Sequence, residues 1–188
     1  MNFENVTIHQ TACVENGAKI GKNTTIGPFT IIKKDSVIGE NCTIGAYNEI
    51  HEGVVVGDYC EIKSHVELRS GTIIGNNCYI DSKVTSSGNC TIQDNVTLRY
   101  DVIIARGCVI GLGSYLCPRV MTNNLDTGKS AIGGAKIGTN CFIGTNAVLN
   151  HGIELGDNVV IGSLSFVNKN IPANEVWFGN PARKYEKK

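Results

Sequence analysis

The stretch IGENCTIGAYNEIHEGVVVGDYCEI, residues 38–62, carries an aliphatic side chain at every sixth position: Ile38, Ile44, Ile50, Val56 and Ile62. The same step continues in both directions, from Ile8 to Leu116, and Ser86 is the one non-aliphatic residue in it. Two positions earlier runs a second series, including Ala18, Thr24, Thr30, Ser36, Cys42, Val54 and Cys60, small or β-branched throughout except for Asn48. A spacing of two puts both side chains on one face of an extended strand, and no helical face repeats every six residues. Each hexapeptide is therefore a short strand followed by a corner. Glycine follows the aliphatic residue at Gly21, Gly27, Gly39, Gly45, Gly57, Gly75 and Gly111, where the chain must turn sharply, and asparagine often comes two residues later. Asn5, Asn23, Asn41, Asn89 and Asn95 head N-x-S/T triplets, and this corner role accounts for them without glycosylation.

Composition agrees with an all-β chain. The 188 residues suit one domain and leave no room for a second catalytic one. Seventeen basic residues balance seventeen acidic ones, so there is no basic surplus of the kind nucleic acid or an anionic membrane would require. A 41% apolar fraction can build a core, while 22 glycines and 6% aromatics point to many turns and few large side chains. No apolar run approaches the roughly 20 residues of a membrane span, and the opening MNFENVTIHQ has neither a basic nor an apolar signal segment, so a cytoplasmic protein is expected. Cys42, Cys60 and Cys78 fall in one inward column, and Cys90 and Cys108 in another. There they act as compact hydrophobes, and structural disulfides are not expected.

The G-x-N-C-x-I-G pattern of GENCTIG and GTNCFIG resembles the hexapeptide-repeat acyltransferases, and among them most closely the N-acetyltransferases of nucleotide-linked sugars. The resemblance implies a left-handed parallel β-helix with three hexapeptides per coil, here about eight coils. It would occupy residues 1–170, with a loop insertion at 117–131 and a C-terminal tail at 171–188. At 18 residues per coil, one outward column carries Val37, Val55, Ile73, Thr91 and Val109. The other two carry Thr25, Thr43, Glu61, Tyr79 and Thr97, and Ile31, Glu49, Glu67, Thr85 and Ile103. An apolar outward stripe reads as a subunit interface, and the family packs as trimers along one face, so a homotrimer is expected.

The six-residue phase fails after Leu116 and resumes at Ile137, shifted by three. The intervening CPRVMTNNLDTGKSA, residues 117–131, reads as a loop on a binding face. LCPRVMTNN is similar to the G-P-x-x-x-F-T-N segment of the 3-amino-sugar acetyltransferases, with Cys117 in place of the glycine and Met121 in place of the aromatic. It makes Asn123 and Asn124 candidates to position a sugar amine or a water. The ending IGSLSFVNKNIPANEVWFGNPARK resembles the family's last coil and tail, beside which coenzyme A lies between two subunits. That resemblance assigns coenzyme contacts to Gly144, Gly162 and Ser163, and phosphate contacts to Lys169 and Arg183. Ser163 and Leu164 stand where the family has Ala-Gly.

In VLNHGIELG, His151 is similar in placement to the catalytic histidine in the I-N-H-D-C-x-I-G segment of the sialic-acid and bacillosamine acetyltransferases, without the acidic residue that follows there. It is either a general base or a corner histidine lining the coenzyme groove. His9, His51 and His65 read as surface residues. Carbonic anhydrases share the fold but need three converging histidines, which this chain does not offer, so no catalytic metal is expected. The resemblance implies an acetyl-CoA-dependent transferase acting on an amino group of a nucleotide-linked sugar. O-acetylation of a free or polymeric sugar is the alternative within the enzyme class, and a non-catalytic scaffold the alternative outside it.

Overall fold

A computed structural model describes residues 5–186; the ends of the expected 1–170 and 171–188 segments, residues 1–4 and 187–188, lie outside the described residues. Every strand is two or three residues long, and three parallel stacks of them form the sides of a triangular prism. Face 1 begins with Thr7–Ile8, face 2 with Cys13–Val14 and face 3 with Lys19–Ile20, after which the chain returns to face 1 at Thr25–Ile26. Pairing is in register at one coil, Thr7 with Thr25 and Ile8 with Ile26, and each outward residue therefore stands over the one 18 positions earlier.

Face 3 has eight strands, face 2 nine, and face 1 ten in parallel plus a short antiparallel one. The expected count of about eight holds for face 3. Face 1 reaches ten because the prism starts there at Thr7 and because Val176–Phe178, in a segment without the repeat, stacks on Val160–Ile161. The division at residue 170 separates no independent unit, since Ile171 bridges Leu155 and Val176–Phe178 completes face 1. Among the described residues no helix is long and apolar enough to cross a membrane.

The two sequence series fill the interior. Ile26, Ile32, Ile38, Ile44, Ile50, Ile62 and their equivalents are fully buried, each contributing about 1.5–3 kcal/mol of apolar burial. The small positions do more than save space. Thr24 Oγ1 donates to the Gly39 carbonyl at 2.8 Å, Thr30 Oγ1 to that of Gly45 at 2.7 Å, and the thiols of Cys42 and Cys60 take the same path to Gly57 and Gly75. Asn48 follows the rule in a larger form: its amide nitrogen donates to the Lys63 carbonyl at 2.7 Å, and its oxygen accepts from the Val66 N–H at 2.8 Å. Ser86, polar at an aliphatic position, lies 2.5 Å from Thr72 Oγ1. All eight cysteines are free thiols.

Corner geometry explains the asparagines. Asn5, Asn23, Asn41, Asn89 and Asn95 all have φ between 46° and 58°, the left-handed region that asparagine tolerates better than most residues. Glycine after the aliphatic position answers a second constraint, close stacking of coils. A Cβ on Gly27 would lie 2.7 Å from the main-chain carbon and oxygen of Gly45.

The repeat persists further than its aliphatic residues suggest. Val120 and Thr122 are buried in the inward slots of face 2, and Met121–Thr122 pairs with Ile103 below and Val148–Leu149 above. The expected loop at 117–131 is therefore displaced to 123–134, before Ala135 and Ile137 resume face 3. Thr122 escapes an aliphatic pattern because it is the polar near-equivalent of valine. Its hydroxyl oxygen accepts from the Ala105 N–H at 2.7 Å, which satisfies it in the core.

Candidate active site

Along the edge where face 2 turns into face 3, each coil places two residues just beyond its aliphatic position. In the lower coils these are Lys33 and Lys34, His51 and Glu52, then Arg69 and Ser70. Their charges meet partners. Lys33 Nζ is 2.6 Å from Glu49, Lys34 Nζ 3.2 Å from Glu52, and Arg69 Nε 2.7 Å from Glu67. His51 Nε2 faces both Glu49 at 3.4 Å and Glu67 at 3.6 Å. The Lys33 ammonium bonded to Glu49 holds that carboxyl below its ordinary range.

Higher on the same edge the content changes. The registers Ile103 with Met121, Met121 with Val148, and Val148 with Phe166 stack Arg106, Asn124, His151 and Lys169 one above another, each three residues past its strand position. The extruded segment leaves at this point. It returns by a short hairpin in which Leu125 bridges Ala131, Asp126 Oδ1 accepts from the Ser130 N–H, and the Asn124 carbonyl accepts from the Ile132 and Gly133 N–H groups. Gly152, next to His151, donates its N–H to the Gly133 carbonyl, tying loop base and histidine corner together. Under the departing loop lies a cleft of about 230 Å³ lined by Ser87, Ile103, Ala105, Thr122, Asn123, Asn124 and Leu125.

His151 is half-buried, and its Nδ1 is buried without a hydrogen-bond partner. Among the described residues no carboxylate lies within ion-pair distance of it, whereas His51 Nε2, likewise buried without a hydrogen-bond partner, faces Glu49 and Glu67. An imidazole whose nitrogens are not committed to protein partners is free to take a proton from a reacting group beside it. Cys117 lies beyond a corner of face 1, away from this edge, and burial pushes its thiol up.

Of the residues marked by sequence, Asn123, Asn124, His151 and Lys169 meet on this edge. Gly144, Gly162 and Ser163 do not: Ile143 and Ile161 pair on face 1, which puts these three at the opposite edge of face 2. Their small size is explained there by coil packing, since a Cβ on Gly144 would lie 2.5 Å from the Ser163 nitrogen. Arg183 lies on face 1 opposite Phe178, its guanidinium donating to the Ala182 carbonyl. The Lys169 ammonium sits 4.7 Å from the centre of the Trp177 ring, which is 7% exposed at the top of the prism. Sequence reasoning missed Arg106 and Ser87, which stand on coils below the loop; the 18-residue step back from Asn124 would have found the arginine. Among the described residues no three His, Cys, Asp or Glu side chains gather as metal ligands.

The six-repeat profile of the bacterial transferase hexapeptide family matches residues 35–70 and 134–169, the second of which contains His151 and Lys169. The chain is 36% identical to the galactoside O-acetyltransferase of Escherichia coli (strain K12) over 97 residues, 50% of this chain and 46% of that protein. It spans about half the length of the curated relatives it matches. The UDP-N-acetylglucosamine acyltransferase from Campylobacter jejuni superposes with a TM-score of 0.79 over 95% of this chain and 74% of that one, at 21% identity, a likeness of fold alone. A maltose O-acetyltransferase from Clostridium difficile 630 is 31% identical, with a TM-score of 0.53 over 63% of this chain and 70% of that one. With its repeat, its prism and these relatives in agreement, the chain belongs to the hexapeptide-repeat transferase family.

Proposed function

We propose that the protein is an acyltransferase that uses an acyl-CoA thioester, acetyl-CoA in the first instance, and acylates an amino group of a nucleotide-linked sugar. The observation carrying this reading is the column Asn124, His151, Lys169 beside a cleft, in a chain of the transferase family. The acceptor nitrogen bonds to the thioester carbonyl carbon, the carbon–sulfur bond breaks, and the sulfur leaves as a thiolate that takes up the proton His151 has removed. His151 takes the proton released by the attacking nitrogen, and Asn123 or Asn124 orients the acceptor in the cleft. Lys169 would hold a coenzyme phosphate once drawn from the Trp177 ring, with Arg183 as a second cation. The free thiols support work in a reducing compartment such as the cytoplasm.

O-acetylation of a free or polymeric sugar is the second reading. Two observations favour it: the relatives at 36% and 31% identity carry the names of sugar O-acetyltransferases, and a hydroxyl needs a base such as His151 more than a neutral amine does. Thiol release from acetyl-CoA, measured against UDP-, dTDP- and GDP-linked amino sugars beside galactosides and maltose, separates the readings. Turnover is expected with a nucleotide-linked amino sugar. Turnover with the free sugars alone selects the second reading, and release with no acceptor defeats both.

We further propose a homotrimer packed on face 3, whose outward column runs Val37, Val55, Ile73, Thr91 and Val109, with Ile73 48% exposed. Val55→Glu with Ile73→Glu would place uncompensated charge in that interface and give monomers by sedimentation. A trimer of undiminished stability would remove the assignment.

A further inference from the structure

We propose that Arg106 binds a phosphate group of the acceptor and thereby makes the cleft selective for sugars carried on a nucleoside diphosphate. The inference rests on the acyl-transfer reading above and deepens it.

Arg106 is exposed and stands directly under Asn124 in the column, and its neighbour Ala105 lines the cleft. Most cations on the edges of the prism meet a carboxylate on their own or the next coil, and Lys83 meets the Tyr100 ring instead. Lys34 in this same column pairs with Glu52, and Lys22, Lys33, Arg69 and Arg99 pair with Glu40, Glu49, Glu67 and Asp81. Arg106 has Gly88 below it and Asn124 above it, neither charged. Among the described residues it makes no ion pair, side-chain hydrogen bond or ring contact, and the cleft lining holds no carboxylate. An unpaired guanidinium at the rim of a polar cleft presents two parallel N–H donors, which match the oxygens of a phosphate.

Two phosphates are available to such a site, the acceptor's diphosphate and those of coenzyme A. Position favours the acceptor. His151 lies between two cations of the column that meet no carboxylate, with Lys169, over the Trp177 ring, one coil above and Arg106 two coils below, on the loop and cleft side. Two anionic co-substrates approaching the proton acceptor from opposite ends would each find one.

Calorimetry with UDP, dTDP, GDP and coenzyme A on the full chain tests this, using wild type, Arg106→Gln, Arg106→Lys and, as control, Lys22→Gln at a distant corner. At least one nucleoside diphosphate should bind wild type and Lys22→Gln alike. It should bind Arg106→Gln about tenfold or more weakly, and Arg106→Lys with intermediate affinity, while coenzyme A affinity stays within about twofold throughout. With the matching nucleotide-linked sugar, KM should rise by the same factor and kcat change little. Unchanged nucleotide affinity in Arg106→Gln, weakening of coenzyme A alone, or no nucleoside diphosphate binding to wild type would each overturn the proposal. Arginine-dependent nucleotide binding without thiol release on any acceptor would instead defeat acyl transfer and leave the phosphate site standing.

Discussion

Along the edge between faces 2 and 3, Lys33 and Glu49 neutralise each other, as do Arg69 and Glu67, and His51 faces both carboxylates. Higher on the same edge, Arg106, Asn124, His151 and Lys169 stand one residue further round the corner, in the column of Lys34 and Glu52, and meet no carboxylate. The strands stack in register in both regions, the loop extruded at 123–134 apart, so the difference in charge lies in the side chains. A parallel β-helix offers every outward residue a neighbour one coil away, which makes self-neutralisation easy: one acidic residue at the next rung suffices. Where the rung holds asparagine or glycine instead, the cation or imidazole is left for something outside the chain. In a repeat fold, the missing partner is a sharper pointer to a site than the presence of any single histidine.

The two histidines provide the strongest way to break this contrast. His151→Ala should lower turnover by about 10²–10⁴-fold with coenzyme affinity nearly intact, since a general base acts in the transition state. His51→Ala, in the neutralised region, should change turnover less than about twofold. Similar losses in both would erase the distinction.

Lys169→Ala sharpens the upper region. Coenzyme A affinity, read by calorimetry, should fall by about tenfold, the scale of one charge-assisted hydrogen bond to a phosphate in partly open solvent. Equal affinity would leave Lys169 as a lid over Trp177 and nothing more.

In the lower region, Asn48 is a purely structural group. Asn48→Ala leaves the Lys63 carbonyl and the Val66 N–H without partners in the core. Chemical unfolding should show a loss of about 1–3 kcal/mol per unsatisfied group, with turnover per folded molecule unchanged. A stable variant would mean that water replaces the amide.

The smallest effect is electrostatic. The Glu49 carboxyl is held below its unfolded value, chiefly by Lys33, so its stabilising contribution is present above the unfolded pKa of about 4.3 and is lost as pH falls through the folded one. Both side chains are substantially exposed, and the gain is well under about 1 kcal/mol. Thermal melts of wild type and Glu49→Gln should differ slightly at pH 6 and converge toward pH 3; a constant difference would contradict the pairing.

Much of this was legible in the sequence. The six-residue step locates the inward residues and puts the asparagines at corners, where their positive φ values lie. Two things resisted. Thr122 hid one hexapeptide, because a threonine can fill a valine's place in the core when its hydroxyl meets a main-chain N–H. The tail strand Val176–Phe178 was equally invisible, since its stacking on Val160–Ile161 comes from three-dimensional return and carries no periodic signal. For the site, the sequence marked Asn123, Asn124, His151 and Lys169, which the coils bring together. It also grouped Gly144, Gly162 and Ser163 with them, although seven residues separate Gly144 from His151 and carry the chain from one edge of face 2 to the other. Arg106 belongs to no motif; its significance lies in a partner that is missing one coil away.

The claim that the unpaired upper edge performs the chemistry is tested most directly by the pH dependence of kcat/KM for thiol release, measured for wild type and His151→Ala with the same acceptor. Wild type should show an acidic limb to which the protonated imidazole contributes beside any protonation of the acceptor itself, and the variant should lose the imidazole's share together with most of its rate. The same limb and a near-normal rate in His151→Ala would place the proton acceptor elsewhere and contradict the account.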